Sequence, residues 1–494
     1  MKTMNKYISM LGCGVLLLAS ASCSNFLSET SQDEFEPKTV QAYQELLNGS
    51  AYAFSTFECV TDLMSDDVEG AAANDYNYST DNLVYKDVFS WQSYMYTTFE
   101  DNAIHNVTNV LNSYQDLYKY IMVCNLVIDG VDKQEGTEVE KQQAKGEALA
   151  LRAYYYWYLV NLYCKPYNTP GTTPDQLLGV PLIISPEIKD TGTPRSTLAA
   201  VYAQITKDIE DACTLLDEAG QKNLGVYRIS SAGAHLIASR IYLYMEEWDK
   251  VIVHADKSME TAPSLCNLNT YTLSNTNAPS QSNNQIVSAN FPEAILVGGW
   301  SVSTPASTSG SLMQISNSLL SMYDKANDSR FAIYFQPTSM YYSYLMAKRG
   351  NTEKCYVWRT AELYLNRAEA YAEKYQAGEQ ASAQKAVDYL NTLRENRLKN
   401  YQPYEVTDAA TLLQRIRDER RRELCFEFHR WFDLRRYGMP SFTHTFVDQG
   451  GVRQRYTLKE GDPGYVLPIP DEALKLNPNL QQNELAPNRV PESL

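Results

Sequence analysis

KQQAKGEALALRAYYYWYLVNLY, residues 141–163, decides the fold class of this 494-residue chain. Ala148, Leu151, Tyr155, Leu159 and Leu162 recur at three- and four-residue steps, the period of an amphipathic helix. Pro166, Pro170 and Gly171 then end it, because proline lacks the amide hydrogen that a helix interior requires. The spacing therefore predicts a long helix with one apolar stripe.

The same texture continues downstream. In SAGAHLIASRIYLYMEEWDKVIVHADKSME (231–260), Ala234, Ala238, Ile241 and Met245 line one helix, while Trp248, Val251 and Ala255 begin the next. Small residues facing aromatic ones across a short turn is how tetratricopeptide-like (TPR-like) pairs interlock. RTAELYLNRAEAYAEKYQAGEQASAQKAVDYLNTLRENR (359–397) reads as another pair, its turn at 376–380 around Gly378. A last long helix is expected over 411–437. Between these pairs, residues 261–290 are rich in Ser, Asn, Thr and Pro, which compete with helix and favour loops. The expected fold is mostly α, built of TPR-like helix pairs, with a loop-rich ligand face and few short strands.

The N-terminus reads as an address. Lys2 and Lys6 precede an apolar run at 8–19, followed by Ser20, Ala21, Ser22 and Cys23. This is the pattern of a secretory signal, and the run is too short to span a bilayer, which takes about 20 apolar residues. The ending resembles a bacterial lipobox with Cys23 as the lipidated residue, although Ser20 stands where leucine is usual. Cys13, after Leu11 and Gly12, is a rival with too short a leader before it. The organisation expected is a signal peptide at 1–22, an acidic tether at 23–40, a helical region with TPR-like pairs at 41–260 and a C-terminal region at 261–494. The last divides into a loop-rich insert (261–350), a helical part (351–440) and a tail.

Composition narrows the function. The net charge of −16 disfavours nucleic acid, whose phosphates call for a basic footprint. There are 37 tyrosines against 14 phenylalanines and 6 tryptophans; tyrosine suits half-wet sites as well as helix packing. No two of the nine cysteines fall within three residues of each other, so no C-x-x-C redox or zinc signature exists. His105, His235, His254, His429 and His444 are scattered without ligand spacing, and no nucleophile elbow, zinc helix, P-loop or dinucleotide fingerprint occurs. Asp66, Asp67 and Glu69 are a nominal carboxylate cluster for glycoside hydrolysis or Ca²⁺, though clustered surface acids are far commoner than catalytic ones.

The densest block is IRDERRRELCFEFHRWFDLRRYG (416–438), where arginines alternate with acids at helix-pair spacing and Leu424, Phe428 and Trp431 form an apolar stripe. Together with EALALRAYYYWYLVNLY (147–163), GVPLI (179–183), TPRSTLAAVYAQITKDIEDACTLL (193–216), YVLPIP (465–470) and NPNLQQN (477–483), it resembles the SusD/RagB family of nutrient-uptake lipoproteins. That family usually carries glycine where Phe428 stands. The resemblance implies a SusD-like α-superhelical fold and a non-enzymatic protein without cofactor. It implies a lipid anchor on the outer membrane facing the exterior, and capture of oligosaccharide or polysaccharide for a SusC-like TonB-dependent transporter. A RagB-like peptide binder, and a glycoside hydrolase or structural lipoprotein, stand as alternatives.

A glycan site wants flat aromatic rings flanked by amides and carboxylates. NDYNYSTDNLVYKDVFSWQSYMY (74–96) offers Asn74, Asp75, Tyr76, Tyr78, Trp91, Tyr94 and Tyr96, and GGWSVSTPASTSG (298–310) offers Trp300. These are the expected ligand contacts, with core packing as the alternative for Trp91 and Trp300 and with Tyr341, Tyr342 and Tyr344 as a reserve group.

Overall fold

Thr137 starts the central helix three residues earlier than the apolar period suggests. Its Oγ1 accepts from the Glu140 amide at 3.3 Å, and the Glu140 carboxylate accepts from the Thr137 amide at 2.8 Å, a reciprocal cap. The computed structural model describes residues 37–52, 58–70, 85–96, 113–187, 191–221, 224–299, 313–338, 344–352, 354–448 and 450–494. Thr39–Leu494 is one folded unit.

The scaffold helices are α1 (Ser113–Gly130), α2 (Glu138–Tyr163), α3 (Leu198–Ala219), α4 (Ser231–Met245), α5 (Trp248–Thr261), α6 (Thr360–Gln376), α7 (Ser382–Glu395), α8 (Ala409–Leu424) and α9 (Arg430–Arg436). Helix α2 packs between α1 and α3, and the stack continues from α3 through α4 and α5 to α6, which meets both α7 and α8. The α4/α5 and α6/α7 hairpins match the pairs read from sequence, and residues 261–290 hold only a short 3₁₀ turn at Pro279–Gln281. The fold is thus mostly α with TPR-like pairs.

Helix α2 departs from expectation. Every residue from Gly146 to Tyr163 is buried, so the single stripe is replaced by burial on all faces. Several of its polar groups find partners inside the fold, as burial favours. Arg152 forks onto Asp208 of α3 at 2.8 and 2.7 Å and donates to Asn125 of α1 at 2.8 Å. Tyr156 donates its hydroxyl to the Ile183 carbonyl at 2.9 Å, and Tyr155 donates to the Ala51 carbonyl. Gly146 is required by closeness: a Cβ there would lie 2.8 Å from Leu216 Cγ on α3. Much of the tyrosine excess is therefore core, with rings buried and the Tyr155 and Tyr156 hydroxyls on backbone carbonyls.

The helix expected over 411–437 is two helices. Helix α8 ends at Leu424, and Phe426 and Phe428 adopt left-handed φ of 56° and 65° before α9 begins. Such values cost a non-glycine residue of order 1–3 kcal/mol, which explains why a glycine suits position 428. The break turns Glu427 inward, where its carboxylate accepts from Arg359 Nε at 2.9 Å and pairs with Lys348. The arginines and acids also pair mostly across elements rather than along the helix. Glu423, fully buried, holds Arg330 at 2.9 Å, Arg397 at 2.9 Å and Arg359. Arg420 reaches Asp433 at 2.9 Å and Arg436 reaches Glu369. Leu424, Phe428 and Trp431 are buried as expected.

Strands are few and short: β1 (Val68–Gly70), β2 (Ala294–Gly298), β3 (Met313–Ile315), β4 (Phe335–Pro337), β5 (Tyr344–Met346), β6 (Tyr356–Arg359), β7 (Phe442–Val447), β8 (Arg453–Leu458) and β9 (Glu492–Ser493). They pair antiparallel as β1–β3, β2–β6, β4–β5 and β7–β8–β9. Among the described residues no helix is long and apolar enough to cross a membrane.

Candidate functional site

Two sequence stretches chosen for ligand contact join one small ladder. In β1–β3, Val68 lies opposite Ile315, Glu69 opposite Gln314 and Gly70 opposite Met313. Residue 70 is the last before the segment carrying Asn74, Asp75, Tyr76 and Tyr78, and residue 313 is the first after the segment carrying Trp300. An antiparallel ladder puts the end of one strand beside the start of the other, so both segments attach to the scaffold at the same ladder end. Gly70 is dictated by packing: β1 lies so close to β7 that a Cβ would sit 1.8 Å from the Thr445 carbonyl oxygen. The reserve tyrosines follow the same logic, since β5 packs on β3 and the β4–β5 hairpin pairs Pro337 with Tyr344 across residues 338–343.

The arginine block holds this platform without lining it. Arg430 of α9 forks onto the Asp66 carboxylate at 2.7 and 2.8 Å. Arg421 of α8 donates to Asp67 Oδ1 at 2.8 Å, to the Asp66 carbonyl at 2.8 Å and to Ser318 Oγ at 2.9 Å. Ser316 Oγ adds a bond to the Asp66 carbonyl at 2.7 Å, and Glu69 accepts from Gln314 at 2.9 Å and Asn317 Nδ2 at 2.8 Å. Burial works to raise the Asp66 carboxyl, but the Arg430 hydrogen bonds and the charges of Arg430 and Arg421 hold it below its ordinary value. Burial prevails at Asp67, whose carboxyl is raised despite Arg421. The Asp66–Asp67–Glu69 cluster is therefore a structural clamp: the Asp66 and Glu69 carboxylates and Asp67 Oδ1 are held by guanidinium and amide groups, and two adjacent arginines repel Ca²⁺.

Trp91 takes the packing alternative. Its side chain is 0% exposed, and the indole Nε1 donates to the Met64 carbonyl at 2.9 Å. The ring stacks on His444 at 4.3 Å and meets the Phe442 edge at 5.2 Å. A sugar has no face of this ring to lie on. The flanking polar residues misled the sequence reading, because Gln92 and Ser93 spend their side chains on the C-terminal tail, at Arg489 O (3.0 Å) and Asn488 Oδ1 (2.9 Å).

Tyr94 and Tyr96 remain available. Tyr94 is 40% exposed, and both line a pocket of about 200 Å³ with Ser93, Pro468, Asp471 and Gln482. The Tyr96 hydroxyl lies 3.2 Å from that of Tyr163, and burial, then Tyr163, lifts it well above the ordinary phenol value. The pocket offers two rings and the Asp471 carboxylate, while the Gln482 amide is bonded to the Ile469 backbone at 2.8 Å in both directions. Sequence reasoning missed the contribution of the tail, although YVLPIP and its distance from any helix period was the available signal. Tyr344 is half-buried against Phe331 at 4.9 Å. Cys23, Asn74, Asp75, Tyr76, Tyr78, Trp300, Tyr341 and Tyr342 lie outside the described residues.

Comparison with known proteins agrees with this architecture from end to end. Residues 27–243 match the family model described as "Starch-binding associating with outer membrane", and residues 314–485 match the SusD family model. A SusD-like protein (P25) of Formosa agariphila is 22% identical over 96% of this chain and 97% of its own length. A second from the same organism, SusD-like protein P2, is 33% identical over 25% of this chain and 24% of its own. Among solved structures, a putative sugar binding protein from Bacteroides vulgatus superposes with a TM-score of 0.71 at 21% identity, covering 91% of this chain and 99% of that one. A SusD superfamily protein from Bacteroides thetaiotaomicron gives 0.68 at 22% identity, covering 90% and 100%. With both halves matched in order on a TPR-like scaffold, this chain belongs to the SusD/RagB family.

Proposed function

We propose that the protein is a carbohydrate-capturing lipoprotein, anchored through Cys23 to the outer membrane, that binds oligosaccharide or polysaccharide and passes it unchanged to a SusC-like TonB-dependent transporter. The observation that carries the reading is the shared ladder end of β1–β3, from which the segments bearing Asn74, Asp75, Tyr76, Tyr78 and Trp300 both depart. The aromatic rings and amides carried by these two sequence stretches suit the C–H faces and hydroxyl rim of a sugar chain. The pocket of Tyr94, Tyr96, Asp471 and Gln482 is a further subsite. Family membership supports the surface location and the transporter partner, and the clamped carboxylates leave capture as the chemistry.

The test is affinity electrophoresis of the full chain against a polysaccharide panel, with a peptide library in parallel. Retardation by one glycan class, abolished in Tyr76→Ala and Trp300→Ala, is expected. Saturable peptide binding without glycan retardation overturns the glycan assignment, and product release from a glycan overturns the non-enzymatic one.

A further inference from the structure

Helices α3, α4 and α5 bring together three side chains that are far apart in sequence. Cys213 comes from α3, His235 from α4 and His254 from α5, and a potential ligand atom from each lies within 4.8 Å of the other two. All three are buried. The two rings meet through Nδ1 atoms 2.9 Å apart. Their far nitrogens each face a carboxylate: His235 Nε2 lies 3.2 Å from Asp217 Oδ2, and His254 Nε2 lies 3.3 Å from Glu210 Oε1.

Counting protons shows what this arrangement lacks. An ionised carboxylate only accepts, and the acids facing the two Nε2 atoms, Asp217 and Glu210, have half-exposed side chains. Each Nε2 must therefore carry the proton it donates. A neutral ring protonated at Nε2 has a lone pair at Nδ1, so two lone pairs face each other at 2.9 Å. A cation between the rings, a shared proton or a metal ion, relieves that contact.

We propose that Cys213, His235 and His254 form a zinc site that ties α3 to the α4/α5 hairpin. One thiolate and two imidazoles are a borderline-soft N/S set suited to Zn²⁺. The carboxylate behind each histidine is the outer-shell partner that fixes tautomer and ring orientation in such sites. Glu210 is itself held by the Tyr242 hydroxyl, and Asp217 by the Ser231 hydroxyl. The Tyr242 ring stacks on His254 at 5.4 Å. Ideal Zn–N lengths of about 2.0–2.1 Å place the two nitrogens of a tetrahedral site roughly 3.3 Å apart, so the rings need to part by only a few tenths of an ångström. On metal binding the Cys213 S–H bond breaks, its proton leaves to solvent, and an S–Zn bond forms. A water takes the fourth position. Entry is from the acidic side, where the Asp217 and Glu210 side chains are 45% and 47% exposed and Asp217 lines an open pocket of about 700 Å³. The site supplies a cross-link in a chain whose described cysteines are all free thiols.

The full chain, stripped with a chelator and exchanged into metal-free buffer, is titrated with Zn²⁺ against a chromophoric competitor and separately with Co²⁺. One sub-micromolar Zn²⁺ per chain is expected, with a higher melting temperature. Co²⁺ should show a thiolate charge-transfer band and the intense visible bands of a tetrahedral centre. Cys213→Ala should keep the fold and lose the charge-transfer band. His235→Gln and His254→Gln should lose stoichiometric binding. Because those histidines are buried, Glu210→Gln on the half-exposed rim provides the check independent of folding: Zn²⁺ affinity should fall about 10–100-fold with the circular dichroism unchanged. A folded wild type that binds no Zn²⁺, or Zn²⁺ binding equal in wild type, Cys213→Ala and Glu210→Gln, overturns the site.

Discussion

Replacing Trp91 by alanine separates a core tryptophan from a ligand-stacking one. Truncating a buried tryptophan costs roughly 3–5 kcal/mol. The structure accounts for that range, since the variant loses a ring with 0% exposure and leaves the Met64 carbonyl without its 2.9 Å indole donor. The lost hydrogen bond is worth about 1 kcal/mol. The lost ring contacts with His444 and Phe442, at 4.3 and 5.2 Å, are worth about 0.5–1.5 kcal/mol each. Alanine inherits the left-handed φ of 52° unchanged, so no backbone relief offsets these terms. Unfolding entropy of about 2.1 cal/mol/K per residue, over the roughly 450 residues of the Thr39–Leu494 unit, gives about 950 cal/mol/K. A loss of about 4 kcal/mol therefore lowers the melting temperature by about 4 °C. Scanning calorimetry and glycan affinity are measured on the same preparation, with Tyr94→Ala as the counterpart. Tyr94, 40% exposed, should shift melting by no more than about 1 °C while weakening glycan binding. A Trp91→Ala protein that melts with the wild type yet loses affinity would refute the burial argument.

Asp62 gives a pH signature. Burial, only partly countered by Arg349, raises its carboxyl to about 7 from an ordinary value near 3.8. Its folded form is the neutral acid, so its contribution is fully present below pH 4 and is lost as pH rises through 7. Asp62→Asn should gain on the wild type across that window by up to about 4 kcal/mol in urea midpoints, and a gap constant with pH would be the contrary result. Arg430→Met leaves the Asp66 carboxylate, gripped at 2.7 and 2.8 Å, without its fork; a stability loss of roughly 3–5 kcal/mol is expected, with glycan affinity falling although Arg430 lines no pocket of the site. Unchanged melting and affinity would remove the clamp from the account. Cys23→Ala should move the protein from membrane to soluble fractions, and continued fatty-acid labelling of that variant would discard Cys23 as the anchor.

The amino-acid sequence by itself determined the helical scaffold. Three- and four-residue spacing, turn residues such as Gly378 and the ordered signature blocks are local signals, and α2, α4/α5 and α6/α7 appeared where those signals lie. Burial on every face of α2 was not legible, because periodicity records one partner and α2 has neighbours on all sides. The break after α8 was hidden for a related reason: the pull on Glu427 comes from Arg359 and Lys348, distant in sequence. Site residues divided along the same line. Polar neighbours made Trp91 read as a loop aromatic, while contacts from Met64, Phe442 and His444 made it core. The pairing of Gly70 with Met313 brings together residues that flank the two ligand-contact stretches, more than two hundred residues apart. Cys213, His235 and His254 have no ligand spacing on paper and meet only because three helices pack side by side. Local chemistry writes helices into a sequence; which side chains face one another is settled by long-range packing, whose partners no local spacing records.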